Sequence, residues 1–264
     1  ALVKRKIRMD EELLINLQSK NDYEFEEAIK QIYDDVDRMV ESVRTRAEFM
    51  RMEALSTGKL STHGQNRVNI EIDYKVPVDH QEVLTTTWDK TESKPLEDIK
   101  RWTDTIVADT GIRPTRALTS AKVLNSLLLH ETIRKAIHGV NADMIVTRTQ
   151  LNQLLQTMEL PTIVTYDEMA QVDTLDKKGY ETKRFFPEDK FVMFGPDILG
   201  HTVYGLTAEE IELRAGGNID KEMFGNIVAL VYRTMDPVAR WTKAAATVLP
   251  SFPRANEVFI AKVR

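Results

Sequence analysis

Hydrophobic positions between residues 22 and 54 follow the period of an α-helix. They recur at gaps that alternate between three and four residues, so one stripe stays apolar for about eight turns. The stripe consists of Phe25, Ala28, Ile29, Ile32, Val36, Met39, Val40, Val43, Ala47, Met50 and Ala54. Opposite charges four residues apart occupy the other face. The pattern predicts one continuous helix, roughly 45–50 Å long at about 1.5 Å per residue.

The ends of this helix carry their own signals. Asn21 with Glu24 three residues later is typical of a capping box. Gly58 is typical of the left-handed residue that ends a helix. A coiled-coil arm is the alternative, but the apolar pattern stops at Gly58 and does not continue as heptads. We therefore expect the helix to run across the body of the protein.

The hydrophobic period changes to two directly after the helix. Val68, Ile70, Ile72 and Tyr74 alternate with polar residues, which predicts a strand over residues 67 to 74 with one buried face. Residues 59 to 61 would pair with this strand, and residues 62 to 66 would form the turn. We also expect the carboxyl-terminal strands to pair with this hairpin.

The rest of the chain mixes helical and extended patterns without a regular βαβ repeat. Helices are predicted from Pro95 to Gly111, from Ser120 to Gly139 in two segments, and after a cap at Thr149. Strands are predicted at 114–118, 163–166, 191–194, 202–206, 227–232, 239–248 and 258–263, with a short helical piece after residue 207. Residues 167 to 189 are too polar for a core and are predicted to form a loop. The fold class is therefore α+β, with antiparallel or mixed sheets.

Residues 1 to 20 begin with a strongly basic stretch. Lys4, Arg5, Lys6 and Arg8 stand among the apolar residues Leu2, Val3, Ile7 and Met9, which we interpret as an extended, exposed strand. Two interpretations stay open at this point. The charges can mark a solvated sheet edge that blocks unwanted pairing, or they can mark a contact between subunits.

Composition narrows the class of protein. The chain of 264 residues suffices for one large domain or two modest ones. It has no cysteine, which excludes disulfides and thiolate metal sites and fits a reducing cytosol. A net charge of −5 argues against a general nucleic-acid binder, although a local basic patch stays open. No run approaches the roughly 20 apolar residues of a membrane span.

The sequence carries few signals of catalytic chemistry. The five histidines lack metal-site spacing. Residues 56 to 61 lack the first glycine of a phosphate-binding loop, and no nucleophile elbow is present. Asp34, Asp35 and Asp37 are interpreted as a solvated helix face, with a cation site as the alternative. The sequence therefore predicts no catalytic residue, no cofactor and no metal.

Aromatic residues with basic neighbours occur at two places. They are Arg184-Phe185-Phe186 and Arg240-Trp241. A base-stacking platform would need several such residues on one sheet face. Two isolated pairs are interpreted as packing residues with charged edges.

Several motifs occur in a fixed order along the chain. They are Arg44-Thr45-Arg46-Ala47-Glu48-Phe49-Met50, Glu53-Ala54-Leu55-Ser56-Thr57-Gly58-Lys59-Leu60, Trp88-Asp89-Lys90, the helix start from Pro95 to Trp102, Thr110-Gly111-Ile112-Arg113-Pro114, Asp236-Pro237-Val238-Ala239 and Val248-Leu249-Pro250-Ser251-Phe252-Pro253. In this order they resemble the lambda-type (protein E) major capsid proteins of tailed bacteriophages. The resemblance covers nearly the whole chain in order. It begins inside the family pattern, so the amino-terminal arm and the first half of an extended loop are expected to be missing.

The resemblance implies the tailed-phage capsid fold, with a long spine helix, a peripheral domain and an axial domain. Residues 1–20 would be part of the extended loop. Residues 21–94 and 234–264 would form the peripheral domain, and residues 95–233 the axial domain. The hairpin turn with His63, Gly64 and Gln65 would lie where capsomers meet.

The resemblance also implies that residues 167 to 189 crowd around a capsomer axis. Mixed charges there would pair between neighbouring subunits. The candidates for such contacts are Lys177, Lys178 and Lys183 against Asp173, Asp176 and Glu181.

The expected function is structural and not enzymatic. Subunits would assemble as hexamers and pentamers into an icosahedral shell that encloses double-stranded DNA without sequence-specific binding. Scaffold, portal and decoration proteins are the expected partners, with assembly in the host cytoplasm and no membrane contact. A shell protein of a cellular nanocompartment with the same fold is the alternative, followed by an oligomeric enzyme.

Overall fold

The computed structural model describes residues 1–10, 22–63, 69–139, 143–173, 179–214, 220–236 and 238–264. Its contacts divide the chain into two compact units. The first, here called the helix unit, comprises Ala1–Met50, Thr62–Ile70 and Thr202–Pro250. The second, here called the mixed-sheet unit, comprises Arg51–Ser61, Glu71–His201 and Ser251–Arg264. These bounds differ from the peripheral and axial ranges given above, and that domain assignment stays a prediction.

The described elements confirm the α+β class. The helices are α1 (Asp22–Thr57), α2 (Pro95–Thr110), α3 (Ala121–Leu129), α4 (Glu131–His138), α5 (Arg148–Thr157) and α6 (Ala208–Arg214). The strands are β1 (Leu2–Asp10), β2 (Lys59–His63), β3 (Asn69–Asp73), β4 (Gln81–Val83), β5 (Arg116–Thr119), β6 (Thr162–Thr165), β7 (Met169–Asp173), β8 (Tyr180–Arg184), β9 (Lys190–Phe194), β10 (Thr202–Gly205), β11 (Asp220–Phe224), β12 (Ile227–Met235), β13 (Val238–Pro250) and β14 (Val258–Lys262). Short 3₁₀ turns precede β4 and β14.

Helix α1 is the predicted continuous helix. It ends at Thr57, and Gly58 follows in the left-handed conformation with φ +67°. A Cβ atom at Gly58 would lie 2.7 Å from Cγ2 of Val76, so both backbone and space select glycine. The Lys190 ammonium donates to the Ser56 carbonyl over 2.5 Å, which satisfies one carbonyl of the last turn. Asn21, the predicted cap at the other end, lies outside the described residues.

The helix unit contains an antiparallel sheet in the order β1-β13-β12-β11, with β10 also paired to β13. One sheet face packs on the apolar stripe of α1, as predicted. The buried contact consists of Val36, Met39, Val40, Val43, Ile227, Ala229, Ala244 and Ala246. Small alanine side chains on the sheet allow the helix backbone to approach closely.

The expected pairing of the carboxyl-terminal strands with the 67–74 hairpin strand is wrong. β3, the described part of that strand, pairs with β2 in a two-stranded sheet. β14 instead pairs with β4 and β9. The reason is burial: four successive residues of β14, Val258–Ala261, are buried, as in a strand covered on both faces. The buried backbone groups of such a strand need hydrogen-bond partners on both edges, and β4 and β9 supply them.

The mixed-sheet unit contains a sheet in the order β4-β14-β9-β5-β6. The two outer pairs are parallel and the two inner pairs are antiparallel. Four aromatic side chains dominate its core. Ring centroids lie 5.6 Å apart for Trp88 and Trp102, 5.1 Å for Trp102 and Phe259, and 5.1 Å for Trp88 and Phe191. Both indole N–H groups are satisfied, by Asp98 at 3.0 Å and Glu82 at 2.5 Å.

Helix caps follow the sequence signals with one correction. Gly111 ends α2 in the left-handed conformation, and the Ser120 hydroxyl caps α3, as predicted. The cap of α5 is Thr147 and not Thr149. Thr147 accepts a hydrogen bond from the Gln150 backbone, and the Gln150 side chain accepts one from the Thr147 backbone. This reciprocal box satisfies two terminal donors, which a cap at Thr149 would not.

The polar segment 167–189 is not a loop throughout. β7 and β8 pair in an antiparallel hairpin with Met169 opposite Arg184 and Asp173 opposite Tyr180. Arg184 anchors the base of the hairpin through Asp167 at 2.8 Å. The described side chains of β8 are exposed except at Arg184, so this hairpin lacks the buried face that usually identifies strands in a sequence.

Candidate assembly surfaces

The basic segment forms strand β1, whose antiparallel register on β13 runs from Leu2 opposite Thr247 to Asp10 opposite Ala239. The alternation of a strand places Lys4, Lys6 and Arg8 on one sheet face. Arg5 lies on the other face, which also carries Val3 and the alanines that pack on α1. The four predicted cations therefore have two different surroundings.

Lys4 is fixed within the subunit. Its ammonium lies 2.6 Å from Oε1 of Glu209, and the Lys243 ammonium contacts the same oxygen. Glu209 belongs to the first turn of α6 and is only 8% exposed. Burial by itself raises the pKa of Glu209, but the hydrogen bonds from Lys243 and Lys4 outweigh it and lower that pKa to about 2. This triad ties β1 and β13 to α6.

Lys6 and Arg8 lie on an aromatic ring. The Lys6 ammonium is 4.6 Å and the Arg8 guanidinium 5.7 Å from the centroid of Trp241. The Tyr232 ring stacks beside Trp241 at 6.4 Å and 12°. Arg240-Trp241 is therefore not the isolated packing pair that the sequence predicts. Local sequence carries no signal for this group, because three separate strands supply its members.

The axis candidates lie on and beyond the β7–β8 hairpin. Glu181 and Lys183 are exposed on β8, and their charged groups are 3.3 Å apart within one subunit. Asp173 closes β7 opposite Tyr180, and its side chain lies outside the described residues. Asp176, Lys177 and Lys178 also lie outside them.

Most of the interface candidates at the 62–66 turn also lie outside the described residues. His63 is the last residue of β2 by its backbone. Its side chain, Gly64 and Gln65 lie outside the described residues. The structure thus brings Lys6 and Arg8 together and pairs Glu181 with Lys183, and the other candidates stay predictions.

Two features of the described residues bear on the enzyme alternative. Among the described side chains, no group of three metal-ligating residues is close enough to hold an ion. A depression of about 520 Å³ is lined by Glu97, Lys100, Arg101, Asp104, Thr105 and Ala108, all from the exposed surface of α2. Side chains from one helix do not converge as catalytic groups do. None of the described helices is long and apolar enough to cross a membrane.

Comparison with known proteins identifies the class. The chain belongs to the phage major capsid protein E family, whose model matches residues 1–263. Among curated proteins, none matches.

Two solved structures share the fold. One is a prophage protein of Escherichia coli CFT073 assigned as a capsid protein, with TM-score 0.70 and 16% identity, covering 100% of this chain and 77% of that one. The other is a phage-related protein of Bordetella bronchiseptica RB50, with TM-score 0.55 and 13% identity, covering 99% and 75% of the two chains.

Family membership decides between the classes of function considered above. The protein is a structural, shell-forming capsid protein of the virion and not an enzyme. A shell is built from many copies of one subunit, so the chain assembles with itself. The resemblance seen in the sequence is confirmed.

Proposed function

We propose that this protein forms hexamers and pentamers that close into an icosahedral shell around double-stranded DNA. The family match over residues 1–263 is the observation that carries this proposal. The net charge of −5 supports enclosure of DNA without sequence-specific binding, since an acidic subunit repels phosphates overall. Scaffold, portal and decoration proteins are the proposed partners, and the host cytoplasm is the proposed site of assembly.

Electron microscopy of the full-length protein, alone and with its neighbouring gene products, tests the shell. We expect closed particles with five-fold and six-fold capsomers. Particles without such capsomers, or soluble protein that never assembles with those products, would contradict the proposal. Nuclease-protected double-stranded DNA inside particles from infected cells would support the cargo, and protein cargo in its place would indicate a nanocompartment.

The proposed domain roles follow the resemblance. Residues 21–94 with 234–264 would be peripheral, residues 95–233 axial, and residues 1–20 part of the extended loop. A map of the assembled shell tests these ranges directly, by the distance of each segment from the capsomer axes. An axial density that lacks residues 167–189 would refute the assignment.

The segment 167–189 is the proposed contact at the capsomer axis. Its support is the exposed β7–β8 hairpin, since a two-stranded hairpin with polar faces is only marginally stable alone. Symmetry copies would supply the missing contacts, with Lys177, Lys178 and Lys183 facing Asp173, Asp176 or Glu181 of a neighbour. Each exposed pair should contribute roughly 0–1 kcal/mol.

Charge reversal tests that contact. The double change Lys177→Glu and Lys178→Glu should slow assembly most at low salt, with partial recovery as salt rises, because screening weakens like-charge repulsion. The double change to Arg retains the charge and serves as the control. Light scattering follows the rate, and equal rates at every salt concentration would remove the segment from the interface.

The turn 62–66 is the proposed contact between capsomers. A bulky tag inserted after Gly64 should block shell closure and leave capsomers folded. The same tag inserted after Gly225, at the β11–β12 turn, is the control. Normal closed particles that carry the tag at Gly64 would exclude this site.

A further inference from the structure

The sheet face opposite α1 carries a compact group of aromatic and cationic side chains, here called the Trp241 platform. It consists of Lys6, Arg8, Tyr232 and Trp241. The register places Arg8 opposite Trp241 and Trp241 opposite Tyr232 on three adjacent strands. The Trp241 indole N–H donates to the Thr234 hydroxyl over 3.3 Å, which holds the ring in place. The platform is therefore set by the sheet and not by a loop.

The surroundings of Lys6 differ from those of Lys4, which lies two residues earlier on the same face of β1. Lys4 and Lys243 share the carboxylate of Glu209. Among the described side chains, Lys6 makes no ion pair, and its ammonium lies over the face of Trp241. A cation–π contact orients an ammonium group but leaves its N–H donors available. The platform thus presents an oriented positive charge at the surface.

The geometry favours a carboxylate ligand over a nucleic-acid base. Base stacking needs an open ring face, and Lys6 already lies over the ring of Trp241. A carboxylate can accept hydrogen bonds from the Lys6 ammonium without moving the ring. Trp, Tyr and Arg are also the residues most enriched where binding energy concentrates in protein interfaces.

The chain itself is the best source of that carboxylate. It assembles with its own copies, and 41 acidic against 36 basic residues give each copy an excess of negative charge. We infer that the Trp241 platform receives an acidic segment of a second copy of this chain. The inference rests on the proposed shell and assigns the charge chemistry of one of its contacts.

Zero-length cross-linking tests the inference. Assembled protein made from equal parts of ¹⁴N- and ¹⁵N-labelled copies is treated with a carbodiimide, which joins an ammonium to a carboxylate in contact. We expect mixed-label peptides that join Lys6 to an Asp or Glu. Lys6→Arg keeps the charge and the cation–π contact but offers no reactive amine, so it should assemble normally and lose this cross-link.

A second variant measures the energetic effect. Lys6→Glu should slow assembly by about tenfold at low salt, because a carboxylate would meet the partner's carboxylate. Lys6→Arg keeps a cation over the Trp241 ring and should stay within about twofold of the parent. Far-ultraviolet circular dichroism and the thermal midpoint of both variants should match those of the parent, so that a slow rate reports docking and not loss of the fold.

The outcomes separate this inference from the shell itself. Particles without a Lys6 cross-link between copies would overturn the inference and leave the shell standing. Cross-linked copies in small oligomers, without particles, would support the inference and overturn the shell. If a single-stranded oligonucleotide quenches Trp241 at 0.15 M salt and suppresses the cross-link, the ligand is nucleic acid and the inference fails.

Discussion

Each of the two units of the molecule has its own hydrophobic core, and the two cores differ in kind. The helix unit packs valine, methionine and alanine along one side of α1. The mixed-sheet unit stacks Trp88, Trp102, Phe191 and Phe259 into one aromatic group with satisfied indole N–H groups. Small residues spread stability over a long, closely spaced contact, whereas aromatics concentrate it in a few large side chains. Substitutions in the two cores should therefore lower the free energy of unfolding by different amounts.

The largest effect should come from a charge in the α1 stripe. Val36 is 6% exposed, and Val36→Asp would bury a carboxylate without a partner, at a cost above about 4 kcal/mol, so no soluble folded protein is expected. Arg38→Asp places the same group on the exposed face of the same turn and should fold. Normally assembled Val36→Asp particles would show that the stripe is not core.

Loss of one aromatic ring should come next. Trp102 is 0% exposed, and Trp102→Ala should lower the free energy of unfolding by about 3–5 kcal/mol. Val40→Ala in the helix unit should cost about 2 kcal/mol, since only two methyl groups are lost. Urea unfolding followed by circular dichroism measures both. Equal losses of unfolding free energy in the two variants would contradict the proposed difference between the two cores.

Two of the glycines with positive φ, Gly58 and Gly111, separate backbone strain from steric conflict. Gly111→Ala should cost about 1–2 kcal/mol, because φ is +71° but nothing lies within 4 Å of the new Cβ. Gly58→Ala carries the same strain plus the 2.7 Å approach to Val76, so its cost should be larger by about 1 kcal/mol. Adding Val76→Ala should reduce that excess in a double-mutant cycle, and strict additivity would reject the steric explanation.

An effect of similar size, which depends on pH, is expected on the polar side of the helix unit. Glu209 has a folded pKa of about 2 against an ordinary value of 4.5, so its stabilisation is present above pH 4.5 and is lost as the pH falls toward 2. At pH 7, Glu209→Gln should lose about 1–3 kcal/mol of stability, and the gap to the parent should close by about pH 2. Glu210→Gln in the same turn is the control. A gap that does not change with pH would disprove the paired carboxylate.

Many elements could be predicted because their signals are local. The period of α1, the glycine after it and the serine cap of α3 all depend on residues within a few positions of one another. The β7–β8 hairpin was missed because neither of its faces is buried, so it leaves no alternating apolar pattern. The cap of α5 was misplaced by two residues because two threonines compete there, and the reciprocal bond with Gln150 decides between them.

The candidate assembly surfaces also divide into features that local sequence predicts and features that only the tertiary structure shows. The basic character of β1 and the family resemblance are properties of the sequence, and they predicted a shell protein and its charged strand correctly. The sequence could not show that Lys4 is paired with Glu209 while Lys6 lies on Trp241, because those partners are more than 200 positions away. The strands that pair with β14 could likewise not be predicted from local patterns. Periodicity reports how each segment meets its surroundings, but strand order and cross-strand register alone decide which distant residues supply those surroundings.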